Sequence, residues 1–443
     1  MKFEPTLHKL SNGVTVILDP MDAATAAIAV RFNTGSIDEK PSEYGITHFC
    51  EHMLCKGTRR FPTAQSIKDY VADNAGVSNA STSNDVVQLH GMVLAENAEV
   101  LLGVFADQLQ NSLFDPEKIE LERTVIKDEL RRALDSEDRQ NSEFINNAVL
   151  GGTYPQYRTL GPVENISSFT RKQMKMFMAR RMTGKNCVIC VSGKIDNPDK
   201  LLATIGQQFG WMSPIDVPKN TPPASYNPAA VHYERMGKNN VDLMVVMPHI
   251  YQHNTDENRF QRMCINRFNA YLQQELYRVL RTENGLVYGV GQRSFGPEGA
   301  YLNGFETRTA PENVARVVAL MAKTAREVYT INPITDEFIK RDKNRRRLGD
   351  ASWLESPEKR RDSQLNEYTT YGHFYDFNEI LRMASQITAA DVIKYTRGYF
   401  DKPLSILTTG ANFDADVMQI WHENFGEIPK VQDIILAKDD KCR

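Results

Sequence analysis

His48, Glu51 and His52 stand in the segment EYGITHFCEHMLCKGT at positions i, i+3 and i+4. On a helix those positions share one face, stacked a turn apart. Two imidazoles so placed can bind one tetrahedral Zn²⁺, with a carboxylate beside them to handle a proton. H-x-x-E-H is the inverse of the commoner zinc-peptidase order H-E-x-x-H. From average residue frequencies it arises by chance in roughly one chain in a hundred of this length, so the rest of the chain must supply a third ligand and a substrate grip.

The long charged segment after Asp115 offers Glu117, Glu120, Glu122, Asp128 and Glu129 as third ligands. Periodicity does not choose among them. Glu122 and Glu129 are seven apart, about two turns, and so share a face. Each acid also reads as part of a solvated face paired with Arg123, Lys127, Arg131 and Arg132.

The elements that must position these residues are legible. Gly13–Asp19 and Thr25–Asn33 read as strands, and a helix follows from about Gly45 to Lys56, ended by Gly57. A second helix is predicted over Thr63–Ala75 with Thr63 as N-cap, a strand over Val86–Val93, and helices over Leu94–Gln110 and from Pro116 onward. A further helix at about Thr170–Met182 and a strand at Asn186–Ser192 complete the first half. Ser213–Ala230 holds five of the 20 prolines and reads as a linker.

Beyond it the same order recurs. Asn97 and Asn313, Glu117 and Glu337, Thr170 and Thr388, Gly193 and Gly410 are separated by 216, 220, 218 and 217 residues. A near-constant offset implies one fold used twice. The fold class is α+β: two structurally homologous domains, each a largely antiparallel sheet with helices packed on one face. The expected division is 1–212, a linker at 213–230, and 231–443. Only the first copy carries H-x-x-E-H, and Gly349 stands opposite Glu129.

Composition limits the function classes. A net charge of −3 gives no basis for nucleic-acid binding, and no apolar run reaches the ~20 residues that span a bilayer. The first residues lack a signal-peptide core and the Arg/Ser-rich look of a presequence. This favours a cytoplasmic protein, although a processed organellar or exported chain would look the same. Cys187 and Cys190 form C-x-x-C within an apolar strand, where residues three apart point to opposite faces, so they read as buried thiols rather than a metal or redox pair.

HFCEHMLCKGT followed by LERTVIKDEL resembles the pitrilysin-type zinc peptidases, in the branch of short two-domain subunits that includes the mitochondrial processing peptidase and its bacterial relatives. That family has a downstream E-R-x-x-x-x-x-E pattern, filled here by Glu122-Arg123 and Glu129, the last lying 77 residues beyond His52. The resemblance implies His48, His52 and Glu129 as ligands of one Zn²⁺ per chain, Glu51 as general base and Glu122 as a helper carboxylate near the metal. LRTENGLVYGV resembles the family's R-x-x-x-G-L-x-Y stretch, implying that Arg281 and Tyr288 bind substrate; Asn284 stands where the family often has Arg. From residues alone, Tyr288 reads as a core aromatic on a strand. Asn79-Ala80-Ser81-Thr82 resembles the family's N-A-x-T, a sheet edge that binds peptide as an added strand, and from sequence it reads equally as a polar loop.

The implied function is a zinc-dependent endopeptidase acting on extended peptides or on leader and presequence segments. The alternative is a non-catalytic partner subunit, a class that usually loses part of the motif this chain keeps. Short members pair to enclose a chamber, which implies a homodimer or a heterodimer with a related subunit.

Overall fold

Runs of β-branched residues such as Thr-Val-Ile-Leu and Cys-Val-Ile-Cys-Val form strands because their stiff side chains fit a pleated surface. The computed structural model describes residues 4–150, 159–220, 226–248, 256–295, 302–374, 376–401 and 403–426. Part of the Pro-rich segment (221–225), part of the weakly patterned stretch 151–161, and residues 249–255 lie outside them.

Six strands form the first sheet: β1 (Thr6–Lys9), β2 (Thr15–Pro20), β3 (Thr25–Phe32), β4 (Gly76–Thr82), β5 (Val87–Leu94) and β6 (Cys187–Gly193). Their order is β1-β2-β6-β3-β5-β4, antiparallel except for β2 beside β6. The second sheet has β7 (Ala230–Glu234), β8 (Val241–Pro248), β9 (Val290–Phe295), β10 (Leu302–Thr309) and β11 (Ser405–Gly410) in the order β7-β11-β8-β10-β9. Again one pair is parallel, β7 with β11, and the rest antiparallel. Aside from β1, the two sheets repeat one topology, as the constant offset requires, and the α+β architecture stands.

The helices used below are α1 (Ile46–Leu54), α2 (Ala64–Asp73), α3 (Ala98–Asn111), α4 (Pro116–Asp135) and α5 (Glu137–Val149). Thr63 caps α2, its hydroxyl accepting from the Ser66 amide at 3.0 Å. Asp115 caps α4, accepting from the amides of Glu117 and Lys118, with Pro116 in the first turn.

On one face of the first sheet, Val16, Ile28, Val30 and Ile189 pack with Leu102 and Phe105 of α3 and Phe209. The opposite face is covered too, beyond the one-sided packing expected. Ile17, Ala29, Val188 and Cys190 meet Leu365, from the helix Pro357–Tyr371. Cys187 and Cys190 therefore fall in different cores, and both are reduced and buried. On the second sheet, Met244, Val246, Leu302 and Leu407 are covered by Ile145 and Val149 of α5.

The compact units are accordingly discontinuous in sequence. The first comprises 1–137, 156–222 and 348–376, and the second 138–155, 223–347 and 377–443. Each takes a helix from the other half of the chain. No motif marks this exchange, because a helix covering a sheet's second face looks like any other amphipathic helix.

In the first unit Arg360 supplies a buried ion pair to that second face. Its Nε donates to Asp19 Oδ2 at 2.9 Å, its Nη2 donates to Oδ1, and Ser192 Oγ donates to Oδ2 at 3.2 Å. Asp19 is fully buried. Removing one partner of such a pair strands the other charge. Arg360→Ala is expected to destabilise the first unit by about 3–5 kcal/mol, whereas replacing both partners by apolar residues should cost much less. Urea-unfolding midpoints measure this; equal loss in the single and double variants would contradict it.

Candidate metal centre

α1 begins at Gly45, which has a left-handed φ of 95° and approaches the chain at Leu160 so closely that a Cβ would sit 2.7 Å from the Leu160 carbonyl oxygen. The Glu39 side chain receives the free amides of this first turn: Gly45 N donates to Oε2 at 2.7 Å and Thr47 N to Oε1 at 2.8 Å. Burial raises the Glu39 carboxyl to about 8 against the lowering effect of these amides. Glu39 has no motif of its own, and sequence reasoning missed it.

One face of α1 is apolar. Ile46, Phe49, Cys50 and Met53 pack with Ile119, Ile126 and Leu130 of α4 and with Phe169, Met174 and Phe177. The Arg123 guanidinium lies 5.5 Å from the Phe49 ring and donates to the carbonyls of Ile166 and Phe169, pinning α4 in place. His48, Glu51 and His52 occupy the rest of the helix, and Glu122 and Glu129 run alongside from α4.

His48 Nε2 is 3.8 Å and His52 Nε2 3.6 Å from Glu129 Oε2. The three ligand atoms lie within 4.8 Å of one another. Bonds of about 2.1 Å in a tetrahedron separate ligand atoms by about 3.4 Å, so the three residues fit a zinc ion. Glu122 is only 2% exposed and joins His52 and Lys56: Oε2 lies 2.9 Å from His52 Nδ1, and Oε1 accepts from Lys56 Nζ at 2.8 Å. A carboxylate can only accept, so the neutral His52 carries its proton on Nδ1 and leaves the Nε2 lone pair beside Glu129. Burial pushes the Glu122 carboxyl up, but its bonds to His52 and Lys56 outweigh this and hold it below its ordinary range.

Negative charge is in excess here. Burial alone would lower the His52 imidazole, yet the Glu122 bond and the carboxylates of Glu51 and Glu129 hold it above its ordinary value. Glu51 is raised by burial, with Glu129 adding to the effect. A bound divalent cation would relieve both. The other candidate acids of α4 lie elsewhere: Glu120 pairs with Arg123, Asp128 with Arg131, and Glu117 is exposed.

Glu51 Oε2 also accepts from Thr82 Oγ1 at 3.2 Å. Asn79, Ala80, Ser81 and Thr82 lie in a strand, β4, rather than a loop, and it is the sheet's edge, paired with β5 alone among the described residues. Arg281 and Tyr288 also meet, within the second unit. Arg281 lies in a π-helical turn (Arg278–Glu283), a form frequent at functional sites, with its guanidinium 5.7 Å from the Tyr288 ring. Tyr288 is 89% exposed and so is not a core aromatic. It borders a cleft of about 790 Å³ within that unit.

The profile of the insulinase family (peptidase family M16) matches residues 14–163, and that of the peptidase M16 inactive domain matches 168–345. The chain belongs to the M16 peptidase family. Its relatives include the mitochondrial-processing peptidase subunit beta of Dictyostelium discoideum, 33% identical over 49% of this chain and 46% of that protein, so the match spans about half of that relative. An uncharacterized zinc protease of Rickettsia bellii is 25% identical over 93% of this chain and 99% of its own. Among solved structures, a Helicobacter pylori protease superimposes with a TM-score of 0.77 at 18% identity, over 92% of this chain and 99% of that one. The periplasmic protease PqqL of Escherichia coli gives 0.80 at 17%, over 96% and 50% respectively. These likenesses at low identity show the two-domain fold alone. Among the described residues no helix is long and apolar enough to cross a membrane.

A cation held by His48, His52 and Glu129 would be lost differently from two variants. Glu129→Ala should release zinc during dialysis against a mild chelator, while Glu122→Ala should retain it with affinity reduced about 10- to 100-fold. Zinc content by atomic absorption checks this; retention by Glu129→Ala equal to wild type would reject the assignment.

Proposed function

We propose that the chain is a zinc-dependent endopeptidase that hydrolyses extended peptides or leader segments, with one Zn²⁺ held by His48, His52 and Glu129. The observation that carries this reading is the carboxylate of Glu51, set one position before His52 and bonded to the edge strand β4 through Thr82. A base for water and a rail for peptide backbone thus adjoin one set of metal-ligand atoms. Names of relatives as zinc proteases support the same reaction class.

When bound, zinc supplies a polarised scissile carbonyl and a water made acidic enough to lose its proton near neutral pH. Glu51 takes that proton and passes it to the leaving amine. Its raised affinity for a proton suits it to do both. Glu122 holds the His52 ring through Nδ1, and Lys56 keeps Glu122 ionised. The edge of β4 hydrogen-bonds the peptide main chain, so that binding depends little on side chains and requires an unfolded strand. Arg281 and Tyr288, adjacent on the second unit, are assigned to gripping the peptide.

The intact ligand set and base weigh against a non-catalytic subunit. In keeping with a relative named subunit beta, the chain works as a pair, with a second copy or a related chain. Among the described residues the five cysteines, Cys50, Cys55, Cys187, Cys190 and Cys264, are free, which suits a reducing compartment such as the cytoplasm.

Glu51→Gln should keep its zinc and lose cleavage of a quenched fluorogenic peptide by about 10²–10⁴-fold or more. Wild-type turnover by that variant would sink the mechanism.

A further inference from the structure

Beside Glu51 and His52, the first unit contains a second feature that the reaction itself does not use. A cavity of about 250 Å³ lies between α1, α2, α3 and β4, lined by those two residues together with Cys55, Lys68, Asn79 and Gln108. It opens directly on the proposed base and metal ligand, next to the edge strand. A peptide added to β4 presents alternate side chains to opposite faces of the sheet. One residue flanking the scissile bond therefore meets this cavity.

Its chemistry is set by two groups. Gln108, on α3, is only 3% exposed. Its Nε2 donates to the Leu54 carbonyl at 3.2 Å, which fixes the amide orientation, because the flipped form would set two oxygens together. Its Oε1 is then a buried acceptor with no hydrogen-bond partner among the described residues. Such groups are rare and call for a donor. Lys68, on the exposed side of α2, lines the same cavity, and its ammonium makes no ion pair among the described residues. Lys56, also at the cavity, is already engaged by Glu122. The Cys55 thiol is held neutral by burial.

We propose that this cavity is a specificity pocket for a carboxamide side chain, Gln or Asn, at a substrate position bordering the scissile bond, with Gln108 and Lys68 as its determinants. The amide N–H of the substrate side chain donates to Gln108 Oε1, and its oxygen accepts from Lys68. An apolar side chain satisfies neither group. A carboxylate satisfies Lys68 but sets its oxygens against Gln108 Oε1. A basic side chain meets two lysines. The inference rests on the peptidase reading above.

The test uses the zinc-loaded full chain and fluorogenic peptides that differ only at the two residues flanking the bond: Gln, Asn, Leu, Glu or Lys. Gln or Asn at one of these positions should exceed Leu in kcat/KM by at least about tenfold, the discrimination a site gains when it would otherwise leave a buried polar group unpaired. Gln108→Leu should erase that advantage, bringing kcat/KM for the Gln peptide down to that for Leu. Lys68→Glu, a surface change that leaves the core intact, should lower the Gln advantage and raise kcat/KM for Lys. Binding of the same peptides to the Glu51→Gln protein, read by fluorescence anisotropy, should follow the wild-type order.

Equal kcat/KM for Gln and Leu at both positions, or variants that depress all peptides alike, would overturn the pocket assignment and leave the peptidase reading standing. If no peptide is cleaved, the peptidase reading fails instead. The anisotropy order then decides the pocket, a flat order overturning it.

Discussion

The seam between α1 and α4 is the contact on which the site depends. Its apolar part, Ile46, Phe49 and Met53 against Ile119, Ile126 and Leu130, fixes the distance and rotation of the two helices. Its polar part uses the same registers: Glu122 and Glu129 alternate with those aliphatics on α4, and His48 and His52 with them on α1. Once the aliphatics are seated, Glu129 falls opposite both imidazoles and Glu122 opposite the far nitrogen of His52. Gathering so many acids is tolerable because Lys56 neutralises one, Thr82 bonds another, and a divalent cation suits the rest. Glu39 extends the pattern to the start of α1, where a buried carboxyl takes the amides that the helix cannot satisfy itself.

The duplicated fold is used asymmetrically. Both sheets share a strand order with one parallel pair, yet by sequence the second copy has Gly349 where the first has Glu129 and no H-x-x-E-H. Freed of a metal centre, the second copy presents a π-helical turn with Arg281 next to an exposed Tyr288. The exchange of helices between the halves has an energetic reason. Each sheet carries apolar residues on both faces, and each second face is completed by a helix from elsewhere in the chain.

Much of this was legible in the residues. Two helix starts followed from signals that the structure bears out, the Thr63 cap and Pro116 in a first turn, and the duplication followed from offsets that match the repeated topology. The opposite facing of Cys187 and Cys190 followed from strand period alone. Choosing Glu129 from five acids did not, since all lie on one charged helix and only the partner helix distinguishes them. The identity of β4 as an edge strand was equally hidden, because small polar residues suit both a loop and an exposed edge. Gln108 had no signal at all: a glutamine inside an amphipathic pattern looks like a surface residue until its neighbours are known.

The most direct measurement is X-ray absorption spectroscopy at the zinc edge of the metal-loaded full chain. A metal held by His48, His52 and Glu129 should show nitrogen and oxygen ligands at about 2.0–2.2 Å, outer-shell scattering from two imidazoles, and no sulfur. Sulfur scattering at about 2.3 Å, which would bring Cys50 or Cys55 into the coordination sphere, or the signature of a single imidazole, would contradict it.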